Sequence, residues 1–81
     1  MEQSEDTSFE PFQSAMARAA LGWSFTELAR QSGVGRSSCI RFEQGYQLKS
    51  SNVAKLRTTF ESRGIVFFQK DNLQGVLVTN P

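Results

Sequence analysis

The sequence has no histidine and a single cysteine, Cys39. Without histidine the usual zinc-ligand sets and imidazole acid/base chemistry are excluded, and one thiol cannot close a disulfide within the chain. Serine and the carboxylates remain as candidate nucleophiles, but none stands at a spacing that pairs it with a lysine base or a second acid. No catalytic residue, metal site, cofactor or small-molecule ligand is therefore expected, and the chain does not read as an enzyme. Long apolar runs are also missing, and Met1 to Glu10 lacks the basic and apolar regions of a signal peptide. A cytoplasmic protein with no membrane partner is the expectation. With two prolines and six glycines against a 38% apolar share that includes seven phenylalanines, the composition is that of a folding chain, not of a disordered one. Eighty-one residues make one small domain with a thin core, for which a second subunit is a common source of stability.

Charge is scarce in total but not in distribution. The net charge is +1, yet Glu2, Glu5, Asp6 and Glu10 stand in the first ten residues with no base among them. The rest of the chain holds nine bases against four acids, and from Arg30 to Arg57 six bases face Glu43 alone. A basic middle of this kind suits a surface that meets phosphates, and on charge alone it suits an ordinary solvated face equally well.

Apolar spacing and punctuation divide the chain into an acidic arm (1–8), a helical domain (9–63) and a tail (64–81). Thr7 or Ser8 can cap a first helix over about 10–21, with Glu10 three residues after Thr7, Pro11 in the first turn and Phe12, Ala15, Met16 and Ala19 on one apolar face. Gly22 ends it. Ser24 and Glu27 form a capping box for a second helix that runs to about Ser32 and turns Phe25, Leu28, Ala29 and Ser32 inward. Gly33 suits the left-handed backbone of a tight turn, and a third helix over about 36–44 follows at once. On a helical wheel its Cys39 and Phe42 point one way, while Arg36, Ser37, Ile40, Arg41 and Gln44 point the other. An isoleucine among polar side chains on the outward face has no use on a merely solvated helix. A fourth helix over about 52–63, capped by Ser50 or Ser51, aligns Val53, Leu56 and Phe60. The period then changes: 65–69 and 76–79 read as strands, with a turn over 70–75 between them. The fold class is mainly α, four helices with a C-terminal β-hairpin.

The stretch Thr26-Glu27-Leu28-Ala29-Arg30-Gln31-Ser32-Gly33-Val34-Gly35-Arg36-Ser37-Ser38-Cys39-Ile40-Arg41-Phe42-Glu43-Gln44-Gly45 resembles the helix-turn-helix of the lambda-repressor/Cro (XRE) family. The Glu-Leu-Ala opening, the Gly-Val turn, the apolar residue at 39 and the Phe-Glu-x-Gly close carry the likeness, which extends over about 9–63. The resemblance implies a sequence-specific DNA-binding transcriptional regulator, a repressor that occupies a palindromic operator in double-stranded DNA as a dimer. Arg36, Ser37, Ile40 and Arg41 would then meet base edges in the major groove, and Thr26, Ser38 and Lys49 phosphates. Phe25 stands where the family commonly has a phosphate-holding glutamine, and Gly35 where a serine or threonine cap is usual. The alternative is a protein-interaction module, an antitoxin or antirepressor, that reuses the same helices.

The tail carries a separate expectation. Ile65 and Phe67 alternate with Val66 and Phe68, and Val76, Leu77 and Val78 supply apolar groups to both faces. One face can pack on helices 1 and 4. The other has no partner within so small a chain, so Ile65, Val66, Phe67, Phe68, Val76 and Val78 are expected to join two copies into a homodimer, a wrapped monomeric tail being the alternative.

Overall fold

The computed structural model describes residues 9–71 and 73–79; the acidic stretch 1–8, with the expected caps Thr7 and Ser8, lies outside them. Among the described residues, four helices, α1 (Pro11–Leu21), α2 (Phe25–Ser32), α3 (Arg36–Glu43) and α4 (Ser50–Glu61), precede an antiparallel hairpin of β1 (Ile65–Lys70) and β2 (Leu73–Val78). None of the helices is long and apolar enough to cross a membrane.

The start of α1 differs from expectation in both its cap and its buried face. Glu10 is the N-cap residue, and its backbone N–H donates to Gln13 Oε1 at 2.9 Å. The side chains turned inward are Gln13, Ser14 and Ala17, whereas Phe12 and Met16 are 44% and 40% exposed and Ala19 is exposed. A buried polar row survives only if its hydrogen bonds are made, and here they are. Gln13 Nε2 donates to the carbonyls of Gly75 (2.9 Å) and Phe68 (3.1 Å), and Ser14 Oγ donates to Glu43 (2.9 Å). Apolar periodicity alone selected the wrong stripe because the polar row has partners elsewhere in the chain.

The remaining helices follow the pattern more closely. Ser24 caps α2, its Oγ accepting from the Glu27 N–H at 3.0 Å. The Glu27 carboxylate does not close the box but accepts from Arg30 and from Gln31 Nε2 (2.7 Å). Those bonds, Gln31's first, hold its carboxyl below the ordinary range. Gly33, at φ 78°, makes the left-handed turn, and Val34 beside it is buried. Helix α4 begins earlier than expected, with Lys49 rather than a serine at its N-cap, and ends at Glu61.

Phe9, which the helical spacing left unassigned, is the hub of the core. Its ring lies 4.6 Å from Phe67, 5.5 Å from Phe42 and 6.2 Å from Phe60 between centroids, and Trp23 stacks on Phe60 at 6.0 Å. Leu28, Leu56, Cys39 and Ile65 complete the cluster. Each such aromatic pair adds about 0.5–1.5 kcal/mol beyond area burial, so one residue ahead of α1 ties together α3, α4 and the hairpin. Burial pushes the Cys39 thiol up from its ordinary value, which fits a small core hydrophobe.

The hairpin register pairs Ile65 with Val78, Val66 with Leu77, Phe67 with Val76 and Phe68 with Gly75. The turn is shorter than the sequence suggested, with Asp71 at φ 55° in it, and Gly75 belongs to β2. Its missing side chain explains the placement: a Cβ there would stand 2.8 Å from the Phe68 ring, which covers it. As expected, the sheet packs on helices 1 and 4, β2 against α1 and β1 against α4.

Candidate nucleic-acid interface

Helix α3 is held to the body by two kinds of contact. Cys39 and Phe42 are buried in the core, and at its last residue Glu43 enters a network that reaches α1. Arg18 donates to Glu43 through Nε and Nη2, both at 2.9 Å, and through Nη1 to the Trp23 carbonyl at 3.1 Å. The guanidinium also lies 3.9 Å from the centroid of the Phe25 ring. The hydrogen-bonded Glu43 carboxylate holds the Arg18 guanidinium above its ordinary value. A two-pronged arginine–carboxylate pair is directional, so it fixes the rotation of α3 about its axis as well as its position. Glu43 is therefore spent inside the molecule and does not neutralise the outward basic groups.

That rotation decides what α3 presents. Arg36, Ser37, Arg41 and Gln44 are exposed, Ile40 and Ser38 are half-buried, and Thr26 is exposed near the start of α2. Lys49 is exposed at the start of α4. The six bases counted between Arg30 and Arg57 are thinned by pairing, since Arg30 binds Glu27 and Arg57 binds Glu61 at 2.9 Å. Among the described residues Arg36, Arg41, Lys49 and Lys55 form no salt bridge. Of these four bases, Arg36 and Arg41 lie on α3, Lys49 at the N-cap of α4 and Lys55 within α4.

Two of these side chains have partners outside α3. Arg36 Nε donates to Thr26 Oγ1 at 3.1 Å, which joins two of the residues singled out from the sequence. The Arg41 guanidinium carbon lies 5.0 Å from the centroid of the Tyr46 ring, within the range of a cation–π contact. Tyr46 escaped the sequence reading because it falls in a loop outside any periodic pattern. An exposed aromatic directly after the helix-closing Gly45 was the available signal.

Comparison with protein-family models, with curated proteins and with solved structures finds no match to this chain. The geometry of the site therefore carries the functional argument.

Gly35 precedes α3 as its N-cap and supplies no side-chain oxygen. A Cβ there would have Ser38 Oγ at 3.9 Å as its nearest neighbour, and the backbone angle is an ordinary φ of −57°. Gly35→Ser is thus expected to stabilise the fold by about 0.5 kcal/mol, through a cap bond and a less flexible unfolded chain. The urea midpoint would rise, and an unchanged or lower midpoint would mean that the loop cannot present the hydroxyl to the first turn.

Of the six residues expected at a dimer interface, Ile65 and Phe67 are buried in the protomer's own core and Val76 is half-buried against it. Ile65 and Phe67 are therefore not available to a second copy. Val66, Phe68 and Val78 are exposed, as is Leu77, at 45%, 39%, 50% and 56% respectively. Val66 and Leu77 are direct cross-strand partners on the outer face.

Proposed function

We propose that this chain is a sequence-specific DNA-binding transcriptional regulator of the lambda-repressor/Cro (XRE) type, with α2 and α3 as its helix-turn-helix. It acts as a homodimeric repressor that covers a palindromic operator. The observation that carries the reading is the outward face of α3, where two arginines with no salt bridge among the described residues, a serine and a glutamine surround a half-buried isoleucine. In the major groove an arginine donates two bonds to guanine O6 and N7, and an aliphatic side chain meets a thymine methyl. Those are the capacities of Arg36, Arg41 and Ile40, with Ser37 able to donate or accept. Thr26, Ser38 and Lys49 flank this face and serve the phosphates, which set register without reading sequence.

Selection of bound duplexes from a random pool, followed by titration at several salt concentrations, tests the reading. Arg36→Ala or Arg41→Ala is expected to cost about 1–3 kcal/mol on the selected site and to relax preference at one base pair per half-site. Lys49→Ala is expected to weaken binding to all sequences alike and to lower the salt slope by about one. Arginine variants that bind the selected site as tightly as the parent at equal salt would remove α3 from the role of reading helix.

A second reading has its own observation. Phe12 and Met16 on α1, together with Val66, Phe68 and Leu77 on the hairpin, are exposed apolar groups, and groups of this kind often mark protein contacts. The chain would then be an antitoxin or antirepressor that grips another protein. Binding to fragmented genomic DNA that is absent at every salt concentration would favour it.

A further inference from the structure

The end of α3 ties a loop residue to a residue of the reading face. Gln44 is the C-cap, and Gly45 after it takes the left-handed conformation at φ 97°. The Gly45 N–H then donates to the Phe42 carbonyl and the Tyr46 N–H to the Arg41 carbonyl, both at 3.0 Å. These are the paired bonds of a Schellman ending, in which the second residue past the cap is fastened back onto the last turn of the helix. Tyr46 is thus held by its backbone to the very residue whose side chain its ring meets. It is 57% exposed, and the Arg41 guanidinium carbon lies over the ring, 5.0 Å from its centroid. A long exposed side chain samples many rotamers and must be ordered whenever it meets a base. The ring removes part of that freedom in advance. A cation–π contact engages the flat face of a guanidinium, whereas its N–H donors lie in the plane and point outward from the edge. Contact with the ring and two hydrogen bonds to guanine O6 and N7 are therefore compatible.

We propose that Tyr46 is a positioning residue for sequence readout: its ring, fixed by the ending of α3, holds the Arg41 guanidinium by one face so that the edge is presented to a guanine in the major groove. This inference rests on the DNA-binding reading. It assigns the role to the ring and not to the hydroxyl, which a tyrosine that only touched phosphate would need. Loss of the ring must therefore change which sequences are bound and not only how tightly.

The test is competition of single-base variants against the selected duplex for the parent, Tyr46→Phe, Tyr46→Leu, Arg41→Ala and the Tyr46→Leu/Arg41→Ala double variant. Phenylalanine keeps the ring without the hydroxyl; leucine keeps an apolar side chain without a π face. Arg41→Ala is expected to lower discrimination at one base pair by roughly 5- to 150-fold, the factor equivalent to a lost bidentate contact. Tyr46→Leu is expected to lower discrimination at that same base pair by roughly two- to tenfold, the equivalent of ordering one long side chain, and to leave the pair that depends on Arg36 unchanged. Tyr46→Phe should keep most of the parent's preference, and in the Arg41→Ala background Tyr46→Leu should change discrimination no further. The positioning role is overturned, and the DNA-binding reading stands, if Arg41→Ala relaxes the preference and Tyr46→Leu leaves it unchanged, sharpens it or relaxes every base pair alike. Phenylalanine as defective as leucine overturns it equally, since the hydroxyl would then be the working group. If Arg41→Ala itself leaves discrimination unchanged, Arg41 does not read a base and the role of Tyr46 falls with it. Failure of the DNA-binding reading shows separately, as the absence of any selected duplex.

Discussion

Glu43→Ala is expected to cost about 3 kcal/mol of folding stability, the lower end of the range for breaking a buried ion pair. The carboxylate side chain is 7% exposed and that of Arg18 is 20% exposed, so the arginine left behind keeps some contact with water and the full penalty of an isolated buried charge does not apply. Ser14 Oγ loses its acceptor in the same step. For a domain of this size a loss of this order is a large fraction of the total, since small domains carry only about 5–15 kcal/mol. The urea midpoint should fall with little change in slope. Arg18→Met combined with Glu43→Leu should cost less than Glu43→Ala alone, because the attraction of the pair largely offsets its own desolvation. A Glu43→Ala protein as stable as the parent would mean that the core contacts of Cys39 and Phe42 hold α3 without the network.

The same network shows where the sequence was readable and where it was not. Helices α2 and α3 were legible because each boundary has a local signal, a serine cap at 24 and a glycine turn at 33, and because Cys39 and Phe42 repeat at helical spacing. The outward face of α3 followed from the same periodicity, without any need to know what the inward face touches. Helix α1 was legible as a helix but not as a surface. Its true inward row contains Gln13 and Ser14, whose acceptors are 29 to 62 residues away, and no local pattern announces an acceptor so distant. Phe9 was missed for a related reason: it lies before the helix, so no period includes it, although its ring meets three others. Gly75 was read as a turn residue because glycine usually is one. Its placement opposite Phe68 depends on register, which the short turn sets.

Val66→Glu combined with Leu77→Lys is expected to convert the proposed dimer to a folded monomer and to lower operator affinity by about a hundredfold or more, the usual worth of a second linked site. Truncation after Gly64 would be a poor test, because it removes Ile65 and Phe67 from the core and takes away both carbonyl partners of Gln13 Nε2. Phe67→Asp fails for the same reason. Val66 and Leu77 instead face each other on the exposed side of the sheet. Opposite charges at directly paired positions preserve strand pairing while charging the outer face beside Phe68. On the proposed function one α3 per protomer reads a half-site, and two half-sites about 34 Å apart would be engaged together only if something held the protomers in fixed relation. In a chain of 36 × 31 × 19 Å, the outer face of the hairpin is an apolar surface that the helices leave uncovered, Phe12 and Met16 of α1 being another. Sedimentation should show the parent as a dimer and the double variant as a monomer, with circular dichroism unchanged between them and binding to an isolated half-site retained. A double variant that is still dimeric with the parent's operator affinity would place the interface elsewhere, with the exposed Phe12 and Met16 of α1 the next surface to charge.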